Sequence, residues 1–376
     1  MLSSEMIFLT RPFVGEDEVQ AVRKVIQSKY LTEGPLTAEF EKQFAEYLGV
    51  KHGIATTSCT TGMEVCLRAV GVGPGDEVIV PDFTFPATAL AVMGLGARPI
   101  IVDVGPPYFT MDVERVKEHV TEKTRTILCV SNLGFPAEYE ALMELGRQRR
   151  ISVIEDAACS TGSLIHGKKL GSLVDASVFS FHARKVMTTG EGGMICTDND
   201  ELANRCRQIK NFGATKGEIG RQNFEHWGTN LKLPNILAAI GMVQLKKLEM
   251  IINTRTKYAR VYDELLEGKG GVERIRVPDY VRYNYYCYPL LVDRKLRDHA
   301  IRSLRERNIE AQILSYALHR QPFFKSLLDD DSNPDATFAG TTRVFESGLQ
   351  LPLHQELTEH LQARVCEVLL EVLRAS

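Results

Sequence analysis

The sequence predicts an α/β protein, with a large domain built on a mostly parallel sheet and a small C-terminal α+β domain. Its 376 residues are 44% hydrophobic, which is enough to bury a sizeable core. Between residues 53 and 154, short and almost wholly apolar runs alternate with helical patterns, as expected for parallel strands covered on both faces. A Gly-rich linker at 268–271 precedes a second, smaller set of strand and helix patterns. We therefore predict a division into residues 1–250 and 251–376.

Two helices are predicted ahead of the first strand. Apolar residues with helical spacing predict one over 16–30, and a second is predicted over 38–48 with Thr37 as its N-cap. Five strands with helices between them follow, at 53–56, 77–81, 99–104, 126–130 and 151–154. The intervening helices include 62–70 and 84–95. Ligands collect at the carboxyl ends of such strands, where Ser58, Asp82 and Asp156 are expected to lie.

The second half of the chain opens with two short strands, at 177–181 and 193–196, that flank a Gly-rich turn. A polar loop is predicted at 212–228, ahead of a long apolar helix that ends at Leu266. The small domain is predicted to contain an alternating strand at 283–292, a helix at 294–307, a short strand at 309–314, an acidic loop at 329–334 and a final helix at 358–373.

Charge and cysteine usage narrow the function classes. Lys and Arg total 45 against 48 acidic residues, without basic blocks, which disfavours nucleic acid or an anionic membrane as partner. The N-terminus lacks the pattern of a secretory leader, and no window approaches the ~20 apolar residues of a membrane span. The eight cysteines show no CxxC spacing and no paired histidines, which disfavours disulfides or a metal site. We expect a cytoplasmic protein that acts on small molecules.

An acid and a lysine in the middle of the chain carry the chemistry. Asp156 ends an apolar strand, and Lys185 lies 29 positions later on the Gly-flanked turn. A pyridoxal phosphate enzyme needs a lysine to hold the aldehyde as a Schiff base and an acid to keep the pyridine nitrogen protonated. Taken alone, however, the aspartate is equally typical of a helix cap and the lysine of a solvated surface charge.

Other polar and aromatic residues follow strand ends as well. The segment 57–62, Thr-Ser-Cys-Thr-Thr-Gly, lies between a strand and a helix, where hydroxyls and free N–H groups make an anion site. A plain Ser/Thr N-cap without a ligand is the commoner meaning of such a stretch. Either Phe83 or Phe85 could stack on a planar ring, although an aromatic residue at such a position more often belongs to the core. Ser180 could contact a phosphate or face solvent.

Several motifs together carry a family resemblance. They run in order through almost the whole chain: Ser58-Cys59-Thr60, 73–81 with Phe83-Thr84-Phe85, Glu155-Asp156-Ala157-Ala158, Ser180-Phe181-His182 with Lys185, 189–193, 228–230, 238–245, 316–319 and 351–354. Jointly they resemble the DegT-type nucleotide-sugar aminotransferases, a branch of the fold type I pyridoxal phosphate enzymes. The resemblance implies an aspartate-aminotransferase-like fold in which residues 1–250 form the cofactor-binding domain.

The resemblance also implies roles for individual residues around pyridoxal 5'-phosphate. Lys185 would hold the cofactor and move the proton, Asp156 would pair with the pyridine nitrogen, and Phe85 would stack on the ring. The phosphate would be bound by Cys59, Thr60 and Ser180, and by Asn230 from the other subunit, since family members are homodimers with shared active sites. His182 and His319 would lie near the sugar, although a core or surface histidine is an equally good interpretation of each.

The expected reaction transfers an amino group from glutamate to a keto group of a nucleotide-linked deoxysugar, with the 4-keto position favoured. Amination at a 3-keto position, a keto-inositol substrate, an aromatic-ring-forming relative or a noncatalytic cofactor-binding regulator remain alternatives. The presence of Lys185 disfavours the pyridoxamine-dependent dehydratases, which carry histidine there. Two departures from the family pattern concern the substrate side: Cys159-Ser160 replaces Gln or Glu followed by a small residue, and 131–136 replaces a His-containing strand end.

Overall fold

A computed structural model describes residues 6–328 and 333–374. Most of the predicted acidic loop, 329–332, therefore lies outside the described residues. The α-helices, in chain order, are α1 Glu16–Ser28, α2 Pro35–Leu48, α3 Cys59–Ala69, α4 Ala87–Met93, α5 Val113–His119, α6 Tyr139–Arg149, α7 Asp200–Ile209, α8 Asn235–Leu266, α9 Arg294–Glu306, α10 Pro322–Lys325, α11 Pro334–Thr337, α12 Ala339–Ser347 and α13 Glu359–Arg374.

The strands are β1 His52–Thr56, β2 Glu77–Pro81, β3 Phe83–Thr84, β4 Arg98–Val102, β5 Val104–Gly105, β6 Thr110–Met111, β7 Thr124–Val130, β8 Ser152–Asp156, β9 Leu164–Ile165, β10 Lys168–Lys169, β11 Ala176–Ser180, β12 Gly193–Thr197, β13 Ala214–Lys216, β14 Gln222–Phe224, β15 Val272–Arg274, β16 Val281–Arg282, β17 Tyr288–Val292, β18 Tyr316–Ala317 and β19 Gly348–Leu351. All five strands predicted in the first half of the chain, and the two around the lysine turn, are present.

A seven-stranded sheet in the order β1-β12-β11-β8-β7-β2-β4 forms the centre of the large domain. The strands from β11 to β4 pair in parallel, whereas β12 runs antiparallel to both of its neighbours. The predicted α/β class with a mostly parallel sheet is thus confirmed. β12 is antiparallel because only a short turn, which carries Lys185, joins it to β11.

Alternate residues of each central strand pack into cores on opposite faces of the sheet, which explains the unbroken apolar runs. Val178 and Ile195 pack with α3, α4 and α7 on one face. On the other face of the sheet, Phe179 and Met194 pack with α2 and α8. Val153 of β8 belongs to a second core on that face, formed with α5 and α6. The sheet is therefore rigid at the strand ends that carry the site.

The helix α8, Asn235–Leu266, runs from the large domain into the small one and ends where the sequence predicts. Its first part packs against α1 and α2, and its last part joins a core with α9, α13 and the sheet β15-β17-β19. The predicted domain division after residue 250 falls inside this helix and stays a prediction.

Three segments differ from their predicted elements. Over 84–95 the helix begins only at Ala87, because the preceding residues form strand β3 against β18. The predicted polar loop at 212–228 contains the hairpin β13–β14. The alternating stretch 283–292 is a strand only from Tyr288, because Tyr285 has a positive φ of 49° and the Asn284 side chain bonds to backbone groups instead.

The described residues offer neither a membrane span nor a metal cluster. Within residues 6–328 and 333–374, no helix is both long and apolar enough to cross a bilayer. In the same residues, no group of three or more His, Cys, Asp or Glu side chains is arranged to hold a metal ion.

Candidate active site

A cavity of about 520 Å³ opens at the carboxyl ends of the parallel strands. The ends of β7, β8 and β11, the N-terminus of α3 and the lysine turn form its wall, and residues 312–316 of the small domain cover it. Seven of the predicted site residues line this one cavity: Cys59, Thr60, Phe85, Asp156, Ser180, His182 and Lys185. Their convergence from separate parts of the chain is what isolated motifs could not establish.

Lys185 lies on the turn between β11 and β12, where its backbone N–H donates to the His182 carbonyl at 2.9 Å. Its Nζ donates to Cys159 Sγ at 3.3 Å and lies 4.8 Å from the centre of the Tyr286 ring. Burial lowers the pKa of the Lys185 amine. The negative charge that Cys159 and Tyr286 carry when they are ionised has the larger effect, so the pKa of Lys185 is raised overall.

Asp156 ends β8 and is only 5% exposed. Its carboxylate accepts hydrogen bonds from Thr88 Oγ1 at 2.8 Å and from the Ala158 N–H at 3.1 Å, and Cys59 Sγ lies 3.8 Å away. Burial raises the pKa of this carboxyl, and it forms no salt bridge with any residue that the structure describes. The charge of Lys185 in the same cavity lowers the pKa, but less than burial raises it, so a ligand with a positive charge would stabilise this carboxylate further.

The N-terminus of α3 forms the second end of the cavity. Ser58 caps this helix by accepting from the Thr61 N–H, and the N–H groups of Cys59 and Thr60 belong to the first turn, which has no intrahelical acceptors. The helix dipole adds positive potential at the same point. Together with Ser180, these groups supply donors suited to a phosphate and are called the phosphate cradle below.

The cavity fits pyridoxal phosphate by the chemistry of its donor set. The phosphate cradle, the unpaired carboxylate of Asp156 and the amine of Lys185 match the anionic group, the ring nitrogen and the aldehyde of that cofactor. Phe85 adds a ring that is 64% exposed and meets Tyr316 edge-on with 6.0 Å between centroids. Its exposed face leaves room for a flat ligand.

Gly193→Ala is expected to disrupt the phosphate cradle. A Cβ at Gly193 would lie 2.5 Å from the carbonyl carbon and oxygen of Ser58 and 2.7 Å from Cys59 N, all of them backbone atoms. The start of α3 must then move, at a cost of roughly 1–3 kcal/mol in stability. Calorimetric titration should show weaker binding of pyridoxal phosphate, and thermal unfolding a lower midpoint. Gly73→Ala, where a Cβ would meet nothing within 4 Å, is the matched control.

His182, His319 and Asn230 occupy three different environments. His182 lines the cavity, and its Nε2 lies 3.7 Å from Glu191 Oε1. His319 is 1% exposed and lies outside the cavity lining, with its ring nitrogens bonded to Asp82 at 2.5 Å and Asp335 at 3.0 Å. Burial lowers the pKa of His319, but the hydrogen bonds and charges of Asp82 and Asp335 have the larger effect and raise it. The contacts of His319 are those of a structural ion pair. Its predicted contact with the sugar stays a prediction that this geometry does not favour.

Asn230 is exposed and lies outside the cavity of its own chain, bridged to Asn211. The nearby hairpin presents exposed apolar side chains, Ile219 at 93% and Phe224 at 67%. This position is compatible with the prediction that Asn230 serves the cofactor of a second subunit.

Sequence reasoning missed two residues of the site: Tyr286, which lines the cavity, and Thr88, which lies outside the cavity lining and bonds to Asp156. Tyr286 lies below Lys185 because Asn284 holds the segment before β17 in a nonextended conformation. Thr88 orients Asp156 from α4 and also bonds Thr84 Oγ1 at 2.9 Å. The sequence offered no signal for this contact, because Thr84 lies on strand β3 and Thr88 on the helix that follows it.

The residue before Asp156 has a separate environment on the opposite face of β8. Glu155 is fully buried, bonded to Ser131 and to Tyr139 at 2.9 Å, and its Oε2 has no described partner. Burial raises the pKa of Glu155 to about 7, against the hydrogen bonds of Ser131 and Tyr139, which lower it. This carboxyl therefore binds its proton in the folded chain more tightly than in the unfolded chain.

Glu155→Gln is expected to reduce the pH dependence of stability. A carboxyl whose pKa is raised on folding favours the folded state below its unfolded pKa, and this contribution is lost as the pH rises through about 7. Between pH 5 and pH 8 the variant should lose roughly 2–3 kcal/mol less unfolding free energy than the wild type, measured in urea. Glu140→Gln, an exposed position on α6, should keep the wild-type slope, and an equal slope in both variants would count against the assignment.

A lysine, a buried carboxylate and a helix N-terminus at the strand ends of this fold are the groups that a pyridoxal phosphate-dependent enzyme requires. Comparison with known proteins agrees with that class. Residues 12–370 match the DegT/DnrJ/EryC1/StrS aminotransferase family, and the chain belongs to it. The resemblance inferred from the motifs is thereby confirmed.

Three similar proteins illustrate the relationship. GDP-perosamine synthase of Caulobacter vibrioides is 35% identical over 98% of both chains. UDP-4-amino-4-deoxy-L-arabinose–oxoglutarate aminotransferase of Shewanella sediminis is 32% identical over 98% of this chain and 94% of its own. The solved PLP form of Spr1654 from Streptococcus pneumoniae superposes with a TM-score of 0.92 at 26% identity, covering 99% of each chain. Family and neighbours indicate pyridoxal phosphate as the cofactor.

Proposed function

We propose that this aminotransferase moves an amino group from glutamate to the 4-keto group of a nucleotide-linked deoxysugar. The observation that carries the proposal is the placement of Lys185 and Asp156 in one cavity with the N-terminus of α3. Bound pyridoxal phosphate supplies an electron sink for negative charge at the carbon that carries the amino group. The other contributions come from residues of the chain.

Lys185 Nζ is the atom that would hold the cofactor and then take and return the proton of the substrate carbon. Its amine must first lose the proton that the surrounding cavity favours. Asp156, ionised, would keep the proton on the ring nitrogen through a short, buried ion pair. Cys59, Thr60 and Ser180 would bind the phosphate and so fix the ring, while Phe85 stacks on it and excludes water.

The substrate class is supported by the names of two relatives. One makes a GDP-linked sugar, and the other pairs a UDP-linked 4-amino sugar with oxoglutarate, the keto acid that glutamate becomes when it gives up its amino group.

The eight free cysteines of this chain support a reducing, cytoplasmic location.

A spectroscopic experiment tests the function in two halves. Glutamate alone should shift the visible absorbance of the purified holoenzyme, and a nucleotide-linked 4-keto sugar should restore it in a single turnover. A panel with 3-keto sugars and keto-inositols separates the alternative substrates, since the proposal requires the fastest restoration with the 4-keto compound. Absence of any shift with glutamate would leave only a noncatalytic cofactor-binding role.

We also propose that the active enzyme is a homodimer in which Asn230 serves the partner subunit's site. Asn230 lies outside the cavity of its own chain, next to a hairpin with exposed apolar side chains. Such a surface needs a cover, and a second copy of the chain supplies one with two-fold symmetry.

Mixing two inactive variants tests this arrangement. Lys185→Ala lacks the catalytic amine, and Asn230→Asp should repel the phosphate of the site it faces. In a mixed dimer, one site carries both defects and the other carries none, so random mixing should recover roughly one quarter of wild-type activity. If Asn230 served its own chain, no mixture would exceed the activity of the Asn230→Asp parent. Each variant mixed with itself is the control.

A further inference from the structure

The thiol of Cys159 is in direct contact with the atom on which the proposed reaction depends. Cys159 lies in the turn after β8, and its Sγ accepts a hydrogen bond from Lys185 Nζ at 3.3 Å. The Tyr286 ring lies on the same amine, with Nζ 4.8 Å from its centre. The Lys185 amine is thus held between a sulfur and an aromatic face, both of which interact favourably with an ammonium ion.

One buried side chain holds both of these partners in place. Asn284, fully buried, donates from Nδ2 to the Cys159 carbonyl at 2.7 Å and to the Thr161 carbonyl at 3.1 Å. Its Oδ1 accepts the Tyr286 N–H at 2.9 Å. Cys159 and Tyr286, 127 positions apart in the sequence, are therefore fixed relative to each other by a single amide, as a preorganised support requires.

We propose that Cys159 is a positioning residue for Lys185. The Cys159 thiol holds Lys185 Nζ over the Tyr286 ring and stabilises the protonated amine until the cofactor binds. The inference rests on the role of Lys185 in the proposed function. It adds a residue whose part in the site is to keep the amine in one place and in one protonation state.

The electrostatics of the pair act in both directions. Burial destabilises both charged forms, the ammonium of Lys185 and the thiolate of Cys159. Each charged form in turn stabilises the charged form of its partner. Removing either partner should therefore change the proton affinity of the one that remains. The titratable groups that face Lys185 from the surrounding elements are Cys59, Asp156, Cys159, Tyr286 and Cys287.

Alkylation of the cofactor-free chain tests the pair without any catalytic readout. Seven of the eight cysteines are buried, and Cys159 is the partly exposed one, so iodoacetamide should label it first. Because thiolate is the reactive form, Lys185→Met should slow labelling of Cys159 at pH 8 by roughly tenfold, followed by mass spectrometry. Lys246→Met, which removes an exposed lysine of α8, should label at the wild-type rate.

Cofactor uptake supplies the reciprocal measurement. The rate at which pyridoxal phosphate develops visible absorbance with the cofactor-free chain should rise with pH as the Lys185 amine loses its proton. In Cys159→Ala the midpoint of that profile should move to lower pH by roughly one unit, because the ammonium has lost an acceptor. In Cys159→Ser, whose hydroxyl can still accept a hydrogen bond, the midpoint should lie close to the wild-type value. Cys366→Ala, in the small-domain core, should leave the midpoint unchanged.

Both shifts are required, and the absence of either in a chain with wild-type circular dichroism would overturn the inference. Failure of the proposed function has a different signature. In that case glutamate does not shift the visible absorbance of the wild-type holoenzyme, while the uptake midpoints and the alkylation rates still differ between the variants and the wild type.

Discussion

Lys185→Ala is expected to lose catalytic turnover by at least about 10³-fold, since the variant lacks both the attachment point and the group that moves the substrate proton. Sodium borohydride should fix the cofactor to the wild-type chain but not to the variant, as seen by mass. The phosphate cradle of α3 and the carboxylate of Asp156 remain, so noncovalent binding of pyridoxal phosphate should persist.

Two controls separate this role from a general effect of losing a lysine. Lys185→Arg keeps a positive charge at the end of the same turn but offers no amine for covalent attachment, and it should be as inactive as the alanine variant. Lys246→Ala removes an exposed lysine of α8 and should retain wild-type turnover. Retention of the borohydride-fixed cofactor in Lys185→Ala would place the attachment at another lysine.

Residues whose positions depend on local structure were predictable from the sequence. Asp156 follows an apolar strand, Thr60 opens a helix after a strand, and Lys185 lies on a turn between two short strands, so each position is set by elements within a few residues. The rule that parallel strands present their carboxyl ends at one edge then brings them together. The structure places all three on one cavity.

Residues whose roles depend on distant contacts were not predictable. Tyr286 reaches Lys185 only because Asn284 bonds to the turn around Cys159, and nothing in the alternating stretch 283–292 signals this. The resemblance places His319 near the sugar, with a core or surface histidine as the equal alternative. Its contact with Asp82, 237 positions away, is one that no local pattern signals. The exposed position of Asn230 likewise acquires meaning only from a second chain, which a single sequence pattern does not describe.

Asp156→Asn is expected to slow the glutamate half-reaction by roughly 10²–10⁴-fold while leaving the cofactor bound. The amide keeps the shape of the side chain but cannot hold a proton on the pyridine nitrogen, so the ring loses most of its capacity to accept negative charge. Rapid-mixing absorbance with glutamate measures the loss. Because the substitution also removes a buried charge without a salt-bridge partner, the cofactor-free variant should unfold at the same or a higher urea concentration than the wild type at pH 7.

The neighbouring carboxyl provides the matched control. Glu155 precedes Asp156 on the same strand but points to the opposite face of the sheet, toward Ser131 and Tyr139. Glu155→Gln should therefore change the pH dependence of stability and leave the glutamate half-reaction at the wild-type rate. Equal losses of the half-reaction rate in the two variants would mean that the strand end tolerates no change. A loss in Asp156→Asn alone, in a variant that is no less stable than the wild type, assigns the electrostatic role to the Asp156 carboxylate.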